Sequence, residues 1–110
     1  METFDGCTSL TTAPEIPSSV TNMSYTFNSC RSLTTAPEIP SSVTSMWNTF
    51  DGCTSLTGNL VINANPTYYD WCLSGASTAA GTNLVVSGTS TLLDEIIATK
   101  SENSNITKGN

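Results

Sequence analysis

The sequence predicts an α/β repeat fold: a right-handed solenoid with short helices on one side and a narrow parallel sheet on the other. Three observations predict it. The first is a period of 23 residues: residues 3–25 read TFDGCTSLTTAPEIPSSVTNMSY and residues 26–48 read TFNSCRSLTTAPEIPSSVTSMWN, identical at 17 of 23 positions. Residues 49–71 open with TFDGCTSLT and then drift, keeping 11 of 23 against the first copy. A fixed period in this range marks a stack of supersecondary units. The second observation is that apolar residues recur in register, as Phe4, Phe27 and Phe50, as Cys7, Cys30 and Cys53, and as Ile16, Ile39 and Ile62. The third is a change of pattern inside each copy, from helix-like spacing to an extended, proline-bearing run.

The helix-like part comes first. Val20, Met23, Phe27 and Cys30 fall at i, i+3, i+7 and i+10, one face of a short helix. Ser18 or Ser19, just after Pro17, can cap its start. Asp5-Gly6 and Asp51-Gly52 end the equivalent helices, with glycine where a left-handed residue is wanted. The second copy has Asn28-Ser29 there, a poorer choice. Leu33 then turns the chain inward. Residues 35–40 (TAPEIP) are extended, because two prolines fix φ and forbid helix. Ile39 is the core residue of that run. Proline cannot donate to a ladder, so Pro14 and Pro37 weaken strand pairing between the first copies. Residues 59–63 (NLVIN) and 83–87 (NLVVS) lack these prolines and are expected to pair better.

The columns continue beyond the plain repeats. Phe4, Phe27 and Phe50 lead to Leu73 and Ile96; Ile16, Ile39 and Ile62 lead to Val85; Met23 and Met46 lead to Tyr69 and Leu92. One domain over residues 1–98 follows, with coils at about 3–25, 26–48, 49–71 and 72–94. Residues 91–98 close the stack as a helix, Thr91 and Asp94 resembling a capping box. Residues 99–110 form a polar tail, expected to fray from Ser101 onward.

Composition narrows function. Three Lys+Arg face nine Asp+Glu, a net charge of -6. The basic residues Arg31, Lys100 and Lys108 are scattered, which disfavours a nucleic-acid partner. An acidic surface suits a basic protein partner. No run is long enough to span a bilayer. Neither a basic start nor an apolar segment precedes the repeat, so no signal peptide is read and the chain is expected to stay in the cytoplasm where it is made, unless it is a piece of a longer exported protein.

The cysteines are read as free thiols. Cys7, Cys30 and Cys53 recur at the repeat spacing, as a ladder of small buried apolar side chains does. Cys72 lies in the column of Thr3, Thr26 and Thr49 and is the expected exception in reactivity. With no His and no C-x-x-C pair, no metal site and no cofactor are expected. No nucleophile has a base near it, so no catalytic residue is assigned. Glu15 and Glu38 would stack on the strand side as an acidic pair; solvated surface repeats are the plainer account of them, and the column ends at Val61.

The aromatic residues carry the functional expectation. Tyr25 and Trp71 share a solvent-side column, Trp47 shares one with Ser24 and Asp70, and Tyr68 shares one with Asn22 and Ser45. Exposed Trp and Tyr are the usual anchors of protein interfaces. Their alternative role is to lie flat over neighbouring coils as covers.

The string IPSSVT, an apolar residue, then TF, two residues, Cys, two residues and Leu, resembles the bacterial BspA-like, or Treponema-type, leucine-rich repeats. The resemblance is plain over residues 3–71 and weak over 72–98. It implies a leucine-rich-repeat-like solenoid and a non-catalytic adhesion or interaction module. The expected function is therefore protein binding, by a stand-alone intracellular inhibitor or recruiter, phage- or mobile-element-borne, or by a piece of a surface adhesin. A carbohydrate- or peptide-processing enzyme is the remaining alternative. With no strand before Phe4, the N-terminal end is expected to leave Phe4, Cys7 and Leu10 open to a homodimer or a partner.

Overall fold

The computed structural model describes residues 4–109. Among them, three short strands and one short helix follow in the order β1 (Gly58–Val61), β2 (Leu84–Ser87), α1 (Leu93–Ile97) and β3 (Ile106–Lys108). The strands form one parallel sheet in the order β1-β2-β3. This is a small α/β arrangement. No helix among the described residues is long and apolar enough to cross a membrane.

The two proline-free runs pair as expected, with Gly58 opposite Leu84 and Val61 opposite Ser87. Where Pro14 and Pro37 intervene, no strand forms: pairing falls to the isolated parallel bridge Thr12–Thr35, just before the prolines. Ile39 and Ile62 form another such bridge. Hydroxyls supply part of the bonding between copies. Thr34 donates to the Thr11 carbonyl, Ser42 to Val20, Thr44 to Thr21 and Thr49 to Met23. Ser and Thr hydroxyls thus add bonds between copies, at Thr11 and Thr21 to carbonyls that already accept a backbone N–H.

The core follows the repeat columns. Phe4, Phe27 and Phe50 stack face to face, with centroids 5.6 and 5.7 Å apart and rings tilted by 1° and 7°. Leu73 and Ile96 continue the buried set, as do Met23, Met46, Leu33, Ile39 and Ile62.

Four expectations need correction. The segments read as short helices on one side are not helical. Backbone N–H groups alternate there between two kinds of partner. Met23, Tyr25, Phe27 and Ser29 donate to Ser45, Trp47, Thr49 and Asp51 of the next copy, at 2.7–3.0 Å. Thr26, Asn28 and Cys30 donate three residues back, to Met23, Tyr25 and Phe27. A helix would direct every N–H four residues back. Consecutive turns instead leave every second N–H free for the neighbouring copy. They also require left-handed residues, and Gly6, Ser29, Gly52 and Gly75 supply them at φ 74, 61, 79 and 69°. The glycine positions were thus read correctly, but they punctuate turns rather than end helices.

The second correction is register. Thr12–Thr35 are 23 residues apart, whereas Gly58–Leu84 are 26 apart. The backbone bond from Gly52 to Ser74 keeps the earlier spacing, so the extra three residues enter between Ser74 and Leu84. Leu84 and Val86 therefore face the core, while Val85 pairs with Asn59 and is only half-buried. Ile62 instead approaches Gly88, where an added Cβ would sit 2.3 Å from the Ile62 carbonyl oxygen. The third correction concerns the tail. Residues 106–108 pair with β2 as β3, because Ile106 has a buried apolar site to fill. The fourth is the capping box. α1 begins after Leu92 with no side-chain cap, and the Thr91 hydroxyl bonds Asn65 instead.

Candidate partner-binding site

The turn segments fix the position of the aromatic side chains. Tyr25, Asn48 and Trp71 occupy one position of successive copies, and all three have left-handed backbones at φ 62, 54 and 60°. Asparagine tolerates this conformation; bulky residues adopt it at a steric cost. The ladder holds them there: the Tyr25 N–H donates to the Trp47 carbonyl at 2.8 Å and the Asn48 N–H to the Asp70 carbonyl at 3.0 Å.

Four large hydrophobic residues are exposed among those described, Tyr25 by 38%, Trp47 by 41%, Tyr68 by 52% and Trp71 by 63%. They are the four that the column analysis placed on the solvent side. Tyr25, Trp47 and Trp71 line one shallow depression of about 240 Å³, together with Asn48 and Asp70. Tyr68 lies outside it and meets Trp47 edge to face, with centroids 5.1 Å apart and rings at 63°. That contact leaves one edge of Trp47 supported. Trp71 also borders a second depression, lined by Asp70, Ala98, Thr99 and Lys100. Asp70 and Asn48 were not singled out from the sequence. The available signal was positional, since Asp70 precedes Trp71 and shares the column of Trp47.

The Asn48 amide donates to the Asp51 carboxylate at 2.9 Å. Its side chain is thereby engaged along its own turn. The one ion pair among the described residues is Lys108–Asp94 at 3.2 Å, an exposed pair of the kind that adds little stability.

The other sequence candidates are less developed. Glu15 and Glu38 line one depression with Pro14 and Pro37, but the Glu38 carboxylate accepts a 2.8 Å hydrogen bond from Asn63. All four cysteines are free thiols. Cys30 and Cys53 are buried, with Sγ donating to the Phe4 and Phe27 carbonyls at 2.9 and 3.0 Å. Burial pushes both thiols above the ordinary range, and the neighbouring Cys30 adds to the rise at Cys53. The expected exception is misplaced. Cys72 is fully buried and pushed up to about 12 by loss of solvation, while Cys7 is only half-buried. Cys72 is enclosed because its column is an interior one: Thr26 and Thr49 are fully buried there too, and Thr3 lies outside the described residues.

No protein-family model, no curated protein and no solved structure matches this chain.

Proposed function

We propose that this chain is a non-catalytic protein-binding repeat module, a leucine-rich-repeat-like solenoid that presents Tyr25, Trp47, Tyr68 and Trp71 to a protein partner. One observation carries the reading. Tyr25 and Trp71 stand at a left-handed position that disfavours them, and yet 38% and 63% of their surface faces solvent. Backbone preference does not account for a large aromatic there, and the partial burial of each ring at most offsets the strain. Sparsely populated backbone conformations cluster at functional sites, and exposed aromatic anchors dominate interface energies. The solenoid part of the proposal is supported by the regular donation of alternate N–H groups to carbonyls 22 residues further on. The resemblance to BspA-like repeats supports the same architecture.

The test compares capture of a partner from lysate by the parent, Trp71→Asn and Trp47→Ala proteins. The reading expects one specific protein that the parent retains and both variants lose, with all three melting alike. If the variants lose stability and still retain that protein, the aromatic residues are covers.

A further inference from the structure

We propose that the depression between Tyr25 and Trp71 is a cation site, and that it takes the guanidinium of an arginine side chain from a basic partner. The inference rests on the protein-binding reading and specifies its chemistry. Tyr25, Asn48 and Trp71 are successive rungs of one column. Neighbouring backbones in such ladders lie about 4.8 Å apart, so the two aromatic rungs are about 10 Å apart. The rung between them is short. Asn48 is drawn aside by its bond to Asp51, which leaves a slot with aromatic walls rather than a filled row. Trp47 lines it as well.

Charge selects the occupant. Asp70 lines this slot and the next depression, and its carboxylate has no ion-pair partner within the described residues, where Lys108–Asp94 is the one such pair. Lys100 lines the second depression together with Asp70 and Trp71 but forms no ion pair with that carboxylate. The whole chain carries nine acidic residues against three basic ones, so the surrounding field also draws a cation in. Aromatic faces beside a carboxylate attract cations through the ring quadrupole and the charge together. Arginine fits better than lysine. Its planar, weakly hydrated guanidinium can lie on a ring and still offer paired N–H donors to a carboxylate.

The experiment titrates the full chain with a short acetylated peptide, Gly-Ser-Arg-Ser-Gly, and with versions carrying citrulline or lysine in the central position. Citrulline keeps the shape of arginine and removes its charge. Binding is read from the indole N–H resonances of Trp47 and Trp71. The arginine peptide should bind at least tenfold tighter than the citrulline peptide and should shift both indoles. Asp70→Asn should lower its affinity about tenfold, whereas Glu102→Gln, at an exposed acid that does not line the slot, should leave it unchanged. Equal binding of arginine and citrulline, or equal loss in the two acid variants, overturns the site. Equal binding of lysine overturns the assignment to a planar cation. The partner captured from lysate separates this inference from the broader one. If its capture is lost with Trp71→Asn but kept with Asp70→Asn, the surface binds protein and the cation site is wrong. If the arginine peptide behaves as expected while no captured protein depends on Trp71, the cation site stands and the partner reading falls.

Discussion

Replacing Trp71 by asparagine should separate anchoring from folding. Trp71 is 63% exposed, so about a third of its surface is covered. A buried Trp removes up to about 250 Å² from water, so the covered part is about 80 Å². At about 25 cal/mol per Å² that is about 2 kcal/mol, an upper figure because the unfolded chain also shields some of it. Against this loss stands the left-handed backbone at φ 60°. A residue with a Cβ pays about 1–2 kcal/mol there, and asparagine is among those that tolerate it best. Asn48 already occupies the same rung at φ 54°. The two terms nearly cancel, so Trp71→Asn should change unfolding free energy by about 1 kcal/mol or less. Urea denaturation followed by circular dichroism measures this, with the slope of the transition checking that the folded state is unaltered. Binding to the captured partner should fall by at least about 2 kcal/mol, the threshold for a hot spot. A stability loss above about 3 kcal/mol would refute the reasoning, because the ring would then be holding neighbouring copies together.

The interior should behave in the opposite way. Phe50 is fully buried and stacks on Phe27, so Phe50→Ala should cost about 3–5 kcal/mol in the same denaturation assay, and a near-parental midpoint would contradict the column assignment. A thiol reagent applied to the native protein should titrate Cys7 and reach Cys30, Cys53 and Cys72 only on unfolding; prompt modification of Cys72 would contradict its enclosure. Because burial raises the Cys72 thiol from 9.0 to about 12, the unfolded chain releases this proton first as pH rises. Its contribution is complete below about pH 8.5 and is lost toward pH 12. Cys72→Thr, matching Thr26 and Thr49, should flatten the alkaline fall of melting temperature, and an unchanged fall would assign it to other groups. Phe4, Cys7 and Leu10 are half-buried and line one apolar depression, so the chain should self-associate through that face. A scattering mass that stays monomeric at all concentrations would rule this out.

The columns were readable in the sequence because a strict period places like residues over one another. The stack of Phe4, Phe27 and Phe50 needed nothing beyond counting. The proline effect was readable for a similar reason: it is a local property of the ring, and Pro14 and Pro37 suppress pairing whatever surrounds them. The turn segments were misread because their apolar spacing is shared. Val20, Met23, Phe27 and Cys30 lie three and four apart, which suits a helix and also suits consecutive turns closed by bonds three residues back. Period alone does not separate the two. The residues between could have done so, since Ser, Thr and Asn dominate them and are poor helix formers. Two left-handed rungs per copy are a further mark of turns. The three-residue shift after Ser74 was hidden because residues 75–83 are small and carry no apolar landmark. β3 was missed because it offers a single buried residue, Ile106, in a polar tail.

The candidate site divides along the same line. Which aromatic residues face solvent followed from their columns, since a position outside the core in one copy is outside it in the next. What those residues form did not follow, because it depends on the turn. In a helix, Tyr25 and Trp71 would be ordinary surface residues, with no conformational cost to explain. In the ladder their rung is left-handed, and the copy between them holds Asn48, which suits that rung and occupies little space. The same backbone geometry thus makes the aromatic residues costly to fold and sets them two steps apart with a gap between. A change that relieves the cost, such as asparagine at every rung of the column, also removes both walls of the gap. On the proposed reading, stability and binding at this column therefore pull the residue choice in opposite directions.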